Sequence, residues 1–197
     1  MSWPSFLRRK SPGDALERQL AELQRAAEFH PTPSSVAREM LELADVGPND
    51  VLYDVGSGDG RIPILAAQEF GCRAVGIEID PKLFRYSMER VAELGLEERV
   101  SFQQQDFFKA DFRPATVVTL YLLSSVNDQL RPRLAAHLRP GARLVVLDYA
   151  IPGWRPEKTM AVKSLADVQY TLFLYRRPAI PTNGTGTAAS DVKAQAC

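Results

Sequence analysis

An α/β fold built on a doubly wound, mostly parallel sheet follows from three features of the 197-residue sequence. From Val51 to Tyr149, short β-branched and apolar runs alternate with helical segments, a rhythm that implies parallel strands joined by right-handed crossovers. A glycine-rich loop, Gly56-Ser57-Gly58-Asp59-Gly60, stands between the first strand and the helix that follows it. The last two β runs have no helix between them and must pair as an antiparallel hairpin. The expected sheet is seven-stranded, five parallel strands plus a C-terminal antiparallel hairpin, preceded by an N-terminal helical extension.

Each element has its own local signal. Ser11-Pro12-Gly13-Asp14 opens an amphipathic helix over residues 14–29, with Leu16, Leu20 and Leu23 on one stripe. His30-Pro31-Thr32-Pro33 breaks it, because a residue before proline avoids the helical region. Ser34 or Ser35 caps a second helix that turns Val36, Met40, Leu43 and Ala44 inward, and Gly47-Pro48-Asn49-Asp50 ends it. Strands are expected over 51–55, 73–79, 100–105, 115–122 and 142–149, with helices over 60–70, 81–94 and 126–138. The apolar runs Val117-Val118 and 144–147 suit strands covered on both faces. The hairpin is expected over 160–165 and 168–175. The chain thus divides into an N-terminal tail and helix (1–30), a folded domain (31–177) and a Pro-, Gly- and Thr-rich disordered tail (178–197).

Composition excludes several classes. Lys+Arg and Asp+Glu both number 24, so the chain has no net charge and is not a sequence-independent nucleic-acid coat protein. Two cysteines, Cys72 and Cys197, give no disulfide framework and are expected as reduced thiols in the cytoplasm. No apolar run reaches the ~18 residues of a spanning helix, so no integral membrane segment is expected. Met1 to Lys10 places its apolar residues before its basic ones, the reverse of a signal peptide. His30, His137, Cys72 and Cys197 show no metal-ligand spacing, and no metal is expected.

The chemistry lies at the ends of three consecutive strands. Asp54-Val55-Gly56-Ser57-Gly58-Asp59-Gly60 follows a strand and opens a helix, and Gly56, Gly58 and Gly60 let a ligand approach the backbone. It is not the dinucleotide pattern, because Arg61 stands where G-x-G-x-x-G needs its third glycine. Asp54, two residues before the first glycine, would repel a pyrophosphate and suits an ammonium group, as on the methionine half of S-adenosylmethionine. Glu78 ends the second strand about twenty residues past the loop, where a carboxylate takes ribose hydroxyls. Asp106, beyond the third strand, can accept from the adenine amino group, and the apolar Phe107 can cover the ring.

These elements, with Pro31-Thr32-Pro33, Tyr53 to Arg61, Thr119-Leu120-Tyr121-Leu122-Leu123, Leu138-Arg139-Pro140-Gly141, Asp148-Tyr149 and Trp154, resemble the class I (seven-strand, Rossmann-like) S-adenosylmethionine-dependent methyltransferases. The narrower resemblance is to small one-domain prokaryotic protein-lysine methyltransferases. It implies that Asp54, Gly56 and Gly58 hold the methionine end, Glu78 the ribose and Asp106 the adenine, with Pro31 and Thr32 closing over the cofactor. It also implies that Tyr121 stands beside the transferred methyl group as the catalytic residue, where an aromatic orients an amine and tolerates its charge. Trp154, in a Pro/Gly loop after the fifth strand, is expected as a wall of the substrate site or, equally, as a packing anchor. The implied acceptor is a protein lysine. A small-molecule acceptor, or cofactor binding without catalysis, are the alternatives. Thr119-Leu120-Tyr121 replaces the Pro-Pro-Tyr signature of nucleobase amino-methylation, so no nucleic-acid partner is expected.

Overall fold

The computed structural model describes residues 31–177. The helix expected over 14–29, His30, Cys197 and the tail from 178 lie outside the described residues. The chain opens with helix α1 (Ser34–Leu43), followed by β1 (Val51–Val55), α2 (Arg61–Phe70), β2 (Arg73–Glu78), α3 (Pro81–Glu93) and β3 (Val100–Gln104). A short 3₁₀ turn (Phe107–Lys109) leads to β4 (Val117–Leu120), α4 (Ser124–His137), β5 (Arg143–Leu147), β6 (Lys158–Lys163) and β7 (Gln169–Arg176). One seven-stranded sheet has the order β3-β2-β1-β4-β5-β7-β6. β1 to β5 are parallel, while β7 pairs antiparallel with both β5 and β6. The order reverses between β1 and β4, and ligands of open α/β sheets bind beyond the carboxyl ends of the strands at such a switch point.

Two apolar layers cover the sheet. One face packs Leu52, Val117, Val145 and Leu172 against Met40 and Leu41 of α1 and Ile62 and Ala66 of α2. The other packs Tyr53, Val118, Leu144 and Val146 against Leu130 and Leu134 of α4 and Phe112. β1, β4 and β5 therefore carry apolar side chains on both faces, as buried parallel strands do. Cys72 is buried in the first layer, and burial pushes its thiol up to about 11, so it is an inert filler.

Several boundaries differ from expectation for local reasons. β4 spans Val117–Leu120 rather than 115–122, and just before it the Thr116 hydroxyl donates to Asp50 (2.7 Å) and accepts from the Val51 N–H (2.9 Å). β5 stops at Leu147 because Asp148 turns left-handed (φ 58°) and its carboxylate accepts from the Thr171 N–H (2.8 Å). Neither Ser34 nor Ser35 caps α1. Pro33 holds the cap position and its carbonyl takes the Ala37 N–H at 2.9 Å. The buried face of α1 is Val36, Ala37, Met40 and Leu41, so Leu43 is only half-buried. α4 begins at Ser124, two residues before the expected start.

Candidate functional site

The site is built from β1 outward along the carboxyl edge. Asp54 sits in β1 between Gly76 of β2 and Thr119 of β4. It is 4% exposed, and the Thr119 hydroxyl donates to its Oδ1 at 2.7 Å. Burial drives its carboxyl up to about 7. The Thr119 bond opposes this, while the charges of Glu78 and Asp59 add to it. A buried acid with acidic neighbours calls for a cation from outside.

After Val55 the chain turns sharply, and Gly56, Gly58 and Gly60 take φ values of 73°, 55° and 77°. At Gly60 a Cβ would also lie 2.6 Å from the Phe102 ring, and at Gly76 2.4 Å from it. Phe102 of β3 thus forms a floor on which loop and β2 close together, and only glycine fits over it. The Gly56 and Ser57 N–H groups donate to the Ile77 carbonyl at 2.9 and 3.0 Å, pinning the loop to β2.

Glu78 ends β2 and is buried, with 8% exposed. Its two oxygens accept separately, Oε2 from the Gly58 N–H and Oε1 from the Asp80 N–H, both at 2.8 Å. The carboxylate is therefore aimed by backbone, and each oxygen keeps a lone pair for a ligand hydroxyl. Asp80 caps α3 through the N–H groups of Lys82 and Leu83. Beyond β3, the Gln105 N–H donates to the Glu78 carbonyl at 3.2 Å, which brings Asp106 to the same edge. Asp106 is half-buried and caps the 3₁₀ turn through the Phe108 N–H at 2.9 Å. Phe107 lies half-buried beside Phe108, ring centroids 4.8 Å apart.

Arg61, expected from its sequence position to cap local structure or pair with an acid, pairs bidentately with Asp59, with Nε at 2.9 Å and Nη2 at 2.6 Å. Burial alone would raise the Asp59 carboxyl, but the hydrogen bond and charge of Arg61 hold it below its ordinary value. The remaining nitrogen, Nη1, donates to the Thr32 carbonyl at 3.0 Å, so the segment of Pro31 and Thr32 reaches the glycine loop. Pro31 is exposed and Thr32 buried.

On the other side of β1, Tyr121 follows β4 and lies nearly parallel to Tyr149, with centroids 6.4 Å apart and planes at 21°. Burial raises its phenol above the ordinary value, with Asp148 adding to this, so Tyr121 is a neutral hydroxyl at physiological pH. Trp154 packs edge-on against Tyr175 (6.0 Å) and is half-buried against the second layer, whereas Tyr121 packs against the first. Asn127 carries no signal in the sequence. It is fully buried in α4, and its Nδ2 donates to the carbonyls of Leu122 (3.2 Å) and Tyr149 (2.6 Å). It ties together the loops that carry the two tyrosines, and its buried Oδ1 has no partner among the described residues. His137, the last residue of α4, accepts the Phe112 N–H at 3.3 Å. Among the described residues no three His, Cys, Asp or Glu side chains converge as metal ligands do.

A glycine turn at the β1–β4 switch, an acid in β1, a second acid ending β2 and the closing β6–β7 hairpin define a class I S-adenosylmethionine-dependent methyltransferase. Within that class the chain belongs to the ANTKMT methyltransferase domain family, which matches residues 54–158. It is 41% identical over 148 residues to a protein-lysine N-methyltransferase of Saccharolobus islandicus, covering 75% of this chain and 91% of that one. It is 36% identical to the adenine nucleotide translocase lysine N-methyltransferase of Mus musculus over 53% of this chain, but spans only 46% of that protein. Among solved structures, an RNA methyltransferase from Salinibacter ruber in complex with S-adenosyl-L-homocysteine aligns with a TM-score of 0.71 and 48% identity. That alignment covers 78% of this chain and 98% of the other.

Proposed function

We propose that this chain binds S-adenosylmethionine at the glycine loop and methylates lysine side chains of proteins. The carrying observation is the pair of buried carboxylates, Asp54 and Glu78, with Arg61 committed to Asp59 rather than to either. An ammonium answers Asp54 and a ribose diol answers Glu78, so the residues present fit the group. Gly56, Gly58 and Gly60 leave room for its methionine end, Asp106 and Phe107 take the adenine, and Pro31 and Thr32 lie over it. The lysine acceptor is supported by the Saccharolobus relative, which this chain matches over nearly that protein's full length.

When bound, S-adenosylmethionine would supply an electrophilic sulfonium methyl for transfer to an acceptor amine. The chain's own contribution is position. Tyr121, a neutral phenol, orients the amine and faces its developing positive charge with an aromatic ring. It is too weak an acid to stand as a phenolate base, so the ammonium proton leaves to solvent. Asn127 fixes the Tyr121 and Tyr149 loops and so the entrance for the acceptor. A second reading, methylation of RNA, is favoured by the likeness to the Salinibacter RNA methyltransferase. Among the described residues no helix is long and apolar enough to cross a membrane.

The test is label transfer from methyl-tritiated S-adenosylmethionine into a host lysate, split into protease-treated and nuclease-treated halves, with Glu78→Ala as control. Protease-sensitive, base-stable label that needs Glu78 supports lysine methylation. Nuclease-sensitive label establishes the RNA reading instead, and label confined to small molecules overturns both.

A further inference from the structure

We propose that Arg61 is a positioning residue that bridges the glycine loop to the Pro31-Thr32-Pro33 segment and thereby sets how long S-adenosylmethionine stays bound. The proposal rests on the cofactor reading above and concerns a position that the dinucleotide pattern reserves for glycine. Arg61 is the first residue of α2, immediately after the left-handed Gly60 that Phe102 holds in place. Its guanidinium is held at two points, where Nε and Nη2 donate to the two oxygens of Asp59 at 2.9 and 2.6 Å. A planar fork held at two points aims its third nitrogen. That nitrogen meets the Thr32 carbonyl at 3.0 Å, across a sequence separation of 29 residues.

The far end of the bridge is also anchored. Thr32 lies directly before Pro33, the cap of α1. α1 packs on α2 through the buried Val36, Ala37 and Met40 and through the Arg38–Glu69 ion pair at 2.6 Å. Chain before α1 and chain before α2 thus converge on one guanidinium beside the glycine loop. With the methionine end against Gly56 and Gly58 as proposed, parting of these two segments would open its way out. Arg61 has a second, electrostatic consequence, since it neutralises Asp59, whose charge otherwise adds to the repulsion on buried Asp54.

The two contributions separate by substitution. Arg61→Lys keeps the charge beside Asp59, but a single ammonium cannot also reach the Thr32 carbonyl in a fixed direction. Arg61→Met removes both. Dissociation of S-adenosylmethionine is measured by stopped-flow displacement with excess S-adenosylhomocysteine, on protein shown folded by circular dichroism. The expected result is a dissociation rate raised about tenfold in Arg61→Lys and further in Arg61→Met, association within about twofold of the parent, and turnover at saturating cofactor reduced less than about threefold in Arg61→Lys. A Lys variant with the parent's dissociation rate overturns the bridge and leaves only charge neutralisation. Should Arg61→Met fail to fold, Arg61→Lys alone decides, since it retains the Asp59 pair. A parent chain that binds no S-adenosylmethionine removes the cofactor reading itself, an outcome distinct from a parent that binds and variants that match it.

Discussion

The carboxyl edge of the sheet divides at β1 into two halves assembled differently. On the β1–β3 side, Asp54, Gly58, Glu78 and Asp106 come from three successive strand ends, and the backbone of one segment aims the side chain of the next. On the β4–β7 side, Tyr121, Tyr149 and Asn127 come from separate loops and a helix, and side chains hold backbone carbonyls. The first half is charged and built on backbone hydrogen bonds, and the second is aromatic and tied by the buried Asn127. Substitutions on the two sides should therefore fail in different ways, binding on one and turnover on the other.

The largest separation is expected at Glu78→Ala. It removes the carboxylate proposed to take the ribose hydroxyls and also releases the N–H groups of Gly58 and Asp80. A charged hydrogen-bond partner contributes about 1.5–3 kcal/mol, so S-adenosylmethionine affinity should fall roughly 10- to 150-fold by calorimetry. Unchanged affinity in a folded variant removes Glu78 from the cofactor site.

Asp54→Asn sharpens the comparison through stability. The unfolded carboxyl titrates at its ordinary 3.8 and the folded one at about 7. Between these values the folded chain binds more protons than the unfolded one, so stability falls as pH rises through that window and the loss is complete above 7. An amide cannot ionise, and Thr119 can still donate to its oxygen. The variant should gain of the order of 2 kcal/mol over the parent at pH 8 and little at pH 4, by denaturant titration, while losing cofactor affinity. Equal stability at both pH values means that Asp54 does not titrate as an isolated buried acid.

On the acceptor side, Asn127→Ala should leave cofactor affinity within about twofold and lower turnover about tenfold, with roughly 1–2 kcal/mol of lost stability for two hydrogen bonds. Equal losses in binding and turnover would mean that Asn127 supports the whole edge rather than one half.

The same division decides what can be read in the sequence. The half proposed to hold the cofactor is legible because its residues stand at fixed intervals from strand ends: an acid two before the glycine, a second acid about twenty later, a third after the next strand. The C-terminal hairpin is legible because β6 and β7 have no helix between them. Asn127 is not, since an asparagine in the first turn of a helix looks solvated, and only the two carbonyls folded over it give it a purpose. Arg61 looks local because its long-range partner is the Thr32 carbonyl, and backbone carries no sequence signature. Trp154, in a Pro/Gly loop on the ligand edge, offers either a substrate wall or a packing anchor by sequence, and its edge-on contact with Tyr175 is visible only in the fold.

The smallest effect is expected at Tyr121→Phe, and it asks what the acceptor half uses its aromatics for. The ring stays, with its near-parallel partner Tyr149, and so does any attraction between the ring face and a positively charged amine. Only the hydroxyl is lost, worth about 0.5–1.5 kcal/mol for one neutral hydrogen bond. Turnover should fall roughly two- to tenfold with cofactor affinity unchanged. Because burial keeps the phenol protonated, the pH–rate profile on the alkaline side should keep its shape in the variant, governed by deprotonation of the acceptor amine. A profile that loses its alkaline limb would instead make the Tyr121 phenolate the group that takes the proton. Turnover unchanged at every pH would leave the aromatic face as the whole of its contribution.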